Sequence, residues 1–189
     1  AGINVTEVIE DINASFANLS ATVTSLRIAI ADLSSTGDSQ GVQTVFLTKA
    51  EDDFGKELAT ISKDLPSLLA EVEALDTSNN DTDRKTFNSK IYVGLRQQLK
   101  DLKTIHQRAF TKEIEDLNKS IADQTSAGAA VFKEGLQAVA QLVHQIFEVD
   151  VEAVKSAASK YIAPFADEDD KAVSTSSGSS KNLIIVASV

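Results

Sequence analysis

Apolar residues open the chain as a ladder: Val5, Ile9, Ile12, Phe16, Leu19, Val23, Leu26, Ile30 and Leu33, with steps alternating between four and three. That alternation keeps all nine side chains on one narrow stripe of an α-helix. It predicts a helix from about Val5 to Ser34, roughly 45 Å long at 1.5 Å per residue. Such a seam must lie along other long helices or along lipid. The polar stretch Ser34–Gly41, with two glycines, predicts the helix end.

A second periodic stretch runs from Val42 to Leu75 and is clean over Phe54, Leu58, Ile61, Leu65, Leu68, Val72 and Leu75. Pro66 falls inside it. An interior proline loses a hydrogen bond and clashes with the preceding turn, at roughly 3 kcal/mol. A kink or a restart is therefore expected, with Asp64 as the new cap. Thr77–Thr82 reads as a loop. A third helix carries Phe87, Ile91, Leu95, Leu99, Leu102, Ile105, Phe110, Ile114, Leu117 and Ile121. Gln124–Gly128 is a second loop, with Thr125 or Ser126 as a cap.

The fourth helix, from about Ala129 to Ala163, changes register. It begins on Phe132, Leu136, Val139, Val143 and Ile146 and continues on Phe147, Val151, Val154, Ala158 and Tyr161. The apolar face is consequently wide between Leu142 and Val154. That width suits a helix touching two or three neighbours, or one lining an internal apolar cavity. Pro164 ends the helix. The expected fold is all-α: an elongated up-down bundle of four long helices, five if the second breaks at Pro66. The bundle spans residues 1–163. Residues 164–189 form a flexible tail: acidic at Asp167–Asp170, Ser-rich at 174–180, with an apolar run at Leu183–Ala187 too short to span a bilayer.

Composition agrees with long helices, with two prolines, eight glycines and 5% aromatic residues in 189. The net charge of −10 speaks against nucleic acid as a partner. It is unevenly placed, however: residues 1–80 carry 4 basic and 13 acidic side chains, whereas residues 81–125 carry 9 and 7. The basic segment reads as the partner of an acidic neighbouring helix, or as an attractor for an anionic head group. Lys85, Lys90 and Arg96 are the head-group candidates.

Five of the eight asparagines, Asn4, Asn13, Asn18, Asn80 and Asn118, sit in acceptor triplets for N-glycosylation. The 34 Ser and Thr residues predict about 1.4 such triplets by chance. The excess points to a secreted, extracellular or cell-wall protein, as does a start at Ala1-Gly2 resembling the product of signal-peptide removal. Asn4, with Glu7 three residues on, also reads as a helix cap.

The chain lacks cysteine, so thiolate nucleophiles and thiolate metal ligands are excluded. Neither His106 nor His144 follows a glutamate by three residues, so the pattern for a di-metal bundle site is missing. No Gly-rich phosphate loop or Gly-x-Ser-x-Gly elbow occurs. Glu51-Asp-Asp53 and Glu113-x-Glu115 read as solvated helix faces. The expectation is a non-enzyme with no metal and no cofactor.

One stretch resembles a known family. Lys63-Asp-Leu-Pro-Ser-Leu-Leu-Ala-Glu-Val-Glu-Ala-Leu75, then Arg84-Lys-Thr-Phe87 and the leucine-spaced run to Leu102, followed by Phe110, are similar to the fungal hydrophobic-surface-binding and cell-wall galactomannoprotein family. Asp11, Ile12 and Leu19 match its first helix. The likeness covers about residues 5–163; the acidic tail and terminal apolar run depart from it. It implies a secreted, non-catalytic glycoprotein bundle that adsorbs to hydrophobic surfaces or holds a lipid between its helices.

Two readings follow. In the first, inner helix faces bind an apolar small molecule or hydrophobic surface, with Phe110, Leu142, Val143, Ile146, Phe147 and Val151 as the apolar contacts. In the second, the seams contact only protein, as a packed interaction bundle or a homo-oligomer. No transmembrane span is expected.

Overall fold

A computed structural model describes residues 4–75 and 80–159. These residues form four long helical rods. The first is α1 (Val5–Gln40) and the second is α2 (Val45–Glu73). The third joins α3 (Asp81–Phe87), a π-helical segment (Asn88–Leu95) and α4 (Arg96–Ile121). The fourth joins α5 (Ala127–His144), a second π-helical segment (Gln145–Asp150) and α6 (Val151–Ser159).

Each rod packs along its neighbours in the chain, and the first also packs along the fourth; the diagonal pairs make no comparable contact. This is the expected all-α up-down bundle. The tail and its apolar run lie outside the described residues.

The first ladder is buried from Ile12 to Leu33, as its alternation requires. At its start the stripe leans over: Val8 is buried, while Val5 and Ile9 are only partly covered. The helix does not stop at Ser34 but continues to Gln40. Its hydroxyls are absorbed by the helix, Thr36 Oγ1 donating to the Asp32 carbonyl and Ser39 Oγ to that of Thr36. Gly41 is the true terminator. It adopts φ +71°, its N–H bonds the Asp38 carbonyl, and the Val42 N–H bonds that of Gly37. That is a Schellman ending, sealed by buried Val42.

The expected break at Pro66 is also corrected, because α2 runs through it. Pro66 and Ser62, whose carbonyl loses its partner, lie on the exposed face, where water can take that bond. Leu65 and Leu69 are buried on either side of the proline, so packing holds the helix. Leu69, rather than Leu68, continues the seam. Asp64 is an exposed interior residue and caps nothing.

The two π-helical segments explain the irregular ladders. Successive steps of four, Phe87, Ile91, Leu95 and Leu99, overshoot an α-helical turn by about 40° each. All four are nonetheless buried, because the wider i→i+5 turns absorb the excess. In the fourth rod the second segment sits where the register shifts, and Ile146, Phe147 and Val151 all point inward.

Candidate functional site

Four rings meet in the core. Phe54 of α2 lies 5.9 Å from Phe110 of α4, edge to face, and 5.2 Å from Phe147 of the fourth rod. Phe110 and Phe147 are 6.0 Å apart, and the His106 imidazole is 5.5 Å from Phe54. Aromatic contacts of this kind contribute about 0.5–1.5 kcal/mol beyond their buried area. Of the expected apolar set, Phe110, Val143, Ile146, Phe147 and Val151 are buried, and Leu142 is partly covered at the edge. The sequence therefore locates the centre of the bundle.

His106 stands where Ile105 was expected. Ile105 is 57% exposed and His106 only 4%. The signal was present in the spacing, since steps of three, four and four from Leu99 through Leu102 reach His106 and then Phe110. A second step of three, to Ile105, drifts off the stripe. His106 Nε2 lies 3.0 Å from Glu57 Oε1 of α2. This is an ion-pair distance, but the approach is too far off axis for a hydrogen bond. His144 is exposed.

Glu51 corrects a second expectation. It is buried, not solvated, and its Oε2 takes both the Nε and the terminal nitrogen of Arg27 at 3.2 Å. Asp150 is the other buried carboxylate among the described residues. Gln145 Nε2 donates to its Oδ1 at 3.0 Å, five residues away across the π turn, while its Oδ2 has no hydrogen-bond partner.

The head-group candidates lie elsewhere. Lys90 pairs with Glu71 at 2.9 Å, and the Arg96 guanidinium covers the Tyr92 ring at 5.0 Å. Lys85 and Lys90 border an open groove of about 390 Å³ beside Thr82, Thr86 and Ser89. Along the third rod, Arg96 is 14 residues from Phe110, about 21 Å at 1.5 Å per residue. The structure does not gather these cations around the aromatic centre.

A groove that the sequence did not reveal runs between α4 and the lower fourth rod, with a volume of about 730 Å³. Its inner wall is an ion network. Lys103 Nζ lies 3.4 Å from Glu148 and 3.1 Å from Glu152, and Lys155 also bonds Glu152 at 3.1 Å. Gln107 Nε2 donates to Glu148 at 2.7 Å, which with Lys103 holds the Glu148 carboxyl below its ordinary range. Partial burial pushes Glu152 upward, but hydrogen bonds from Lys155 and Lys103 outweigh it and the net shift is downward. Both carboxylates remain ionised near neutrality.

The five asparagines of the glycosylation triplets are all exposed. Asn4 and Asn80 cap α1 and α3, each accepting the N–H three residues on at 3.1 Å. Among the described residues, no group of three or more His, Asp or Glu is placed to hold a metal, and no helix is long and apolar enough to cross a membrane. No family model, curated protein or solved structure matches this chain.

Proposed function

We propose that this chain is a secreted, non-catalytic helical bundle that binds a lipid, fatty acid or hydrophobic surface through the apolar inner faces of its helices. The observation that carries the reading is the continuity of those faces. One apolar cluster, from Val8 and Ile12 through the Phe54–Phe110–Phe147 centre to Ala158, is shared by all four rods. No cysteine crosslinks them, and loops 41–44 and 122–126 are short. Because the rings pack on one another, a ligand enters by replacing ring–ring contacts as rods part. The exchange is nearly neutral in apolar burial, at about 25 cal/mol per Å² on each side.

The second reading is a packed module whose seams contact only protein. The ring-to-ring packing favours it, since filled contacts leave a guest nothing to occupy without movement. Titration with parinaric acid, alongside adsorption to hexadecane droplets, separates the two. The first reading expects saturable fluorescence near one ligand per chain, or adsorption with helical content retained. No uptake, no adsorption and a concentration-dependent mass would leave the second reading standing.

A further inference from the structure

The groove between α4 and the lower fourth rod combines two kinds of group that the ion network leaves unused. The first is cationic. Lys100 and Arg108 line the groove and make no ion pair with any described residue. Lys112, 69% exposed at its side chain, borders it further along but is already bonded to Asp116 at 2.9 Å, so Lys100 and Arg108 are the cations left free for a guest. Along α4 the three charges span about 18 Å at 1.5 Å per residue, with Arg108 turned about 80° and Lys112 about 120° around the axis from Lys100.

The second kind is a row of acceptors. Thr104 Oγ1 donates its proton to the Lys100 carbonyl at 2.9 Å, and Thr111 Oγ1 to that of Gln107 at 2.8 Å. Gln107 spends one of its two amide N–H groups on Glu148. The two threonine oxygens are thereby left with acceptor capacity, as is the Gln107 carbonyl oxygen, beside the second Gln107 N–H. A guest that fits must bring anionic groups for the cations and hydroxyl donors for the acceptors. A simple phosphate chain satisfies the first demand and not the second.

We propose that this groove binds an acidic oligosaccharide, a chain of several sugars bearing carboxylates and free hydroxyls. The cations take the carboxylates and the Thr104–Gln107–Thr111 row takes the hydroxyls. Glu115, at the upper end, repels anions and limits the guest to the stretch below it. The net charge of −10 opposes any polyanion at long range. That repulsion is screened beyond about 10 Å at 0.1 M salt, so recognition rests on local contacts and weakens as salt rises.

The test uses fluorescein-labelled oligogalacturonate, followed by anisotropy, with inorganic tripolyphosphate as the competitor. The wild-type chain is expected to bind the glycan saturably and release it little to tripolyphosphate. Lys100→Gln/Arg108→Gln/Lys112→Gln is expected to weaken binding at least about tenfold. A control losing three exposed charges elsewhere, Lys56→Gln/Lys63→Gln/Lys119→Gln, should leave binding within about twofold, as surface charges outside the site contribute little. Thr104→Val/Thr111→Val should weaken the glycan about threefold and leave tripolyphosphate unmoved. If the triple variant melts below the wild type, Lys100→Gln alone carries the comparison. Equal losses in both triple variants, no saturable glycan binding, or tripolyphosphate binding as tightly as the glycan would each overturn the proposal.

Discussion

The first and fourth rods meet along their length and bury seams against the same core, yet they do so in different ways. α1 keeps its four-three alternation from Ile12 to Leu33 and needs only ordinary α-helical turns. The fourth rod carries one residue too many for that register and takes it up in the π turn at Gln145–Asp150. The wider turn lets Ile146 and Phe147 both face inward and brings Gln145 onto Asp150. A regular seam thus specifies its backbone, whereas a shifted one reports that the backbone has bent its own rule.

The sharpest way to break this comparison is to delete one exposed residue from each rod. Removing Ala21 rotates Val23, Leu26, Ile30 and Leu33 about 100° off the seam. Four buried apolar side chains at about 1.5–3 kcal/mol each come to about 6–12 kcal/mol, comparable to the whole reserve of about 5–15 kcal/mol of a typical domain, and the variant should lack a cooperative melt by circular dichroism. Removing Val149, 46% exposed in the π turn, leaves Val143 and Ile146 followed by inward positions at regular steps. That variant should fold, with the π turn replaced by α-helix. Collapse of both, or survival of both, would refute the contrast.

Phe147→Ala tests the centre that the π turn serves. It removes a fully buried ring from between Phe54 and Phe110 and should cost about 3–5 kcal/mol in urea unfolding. A smaller effect follows from Gly37→Ala in the regular rod. The added Cβ would sit 2.9 Å from the Val42 carbonyl oxygen and 3.0 Å from Phe132 Cε1, so a loss of about 1–3 kcal/mol is expected.

The smallest effect concerns acid. Glu148 and Glu152 titrate below their ordinary range, so the stability they contribute is present above the unfolded value of about 4.3 and is lost as pH falls through the lower folded values. The melting midpoint should drop on acidification through that window. Lys103→Gln should flatten this dependence while leaving the neutral-pH midpoint within a few degrees.

Those outcomes also show what kind of information the sequence held. Periodicity found the rods, the Phe110–Phe147 centre and the Ser126 cap, because burial and capping act over one or two turns. It overread local breakers: Ser34–Gly41 and Pro66 are poor helix formers, but buried Gly37, Leu65 and Leu69 tie them into the core. It passed over His106 because a histidine was not counted as an apolar rung, although its position on the ladder was correct. The groove beside α4 was illegible for a different reason. Its Lys103–Glu148 and Gln107–Glu148 contacts join residues more than 40 positions apart. Only the packing of rod against rod decides which cations are consumed and which are left over.

Asn4 and Asn80 begin helices with one atom and would carry a sugar on another. The cap uses Oδ1, which accepts the Glu7 or Asp83 N–H, while an N-linked glycan attaches through Nδ2. At Asn4 the sugar would displace only a long amide contact to Glu7, at 3.4 Å. Glycosylation and helix initiation are therefore compatible at these two sites. A glycan at Asn80 would also stand at the start of the third rod, shielding that helix end from proteases while the cap beneath it stays in place.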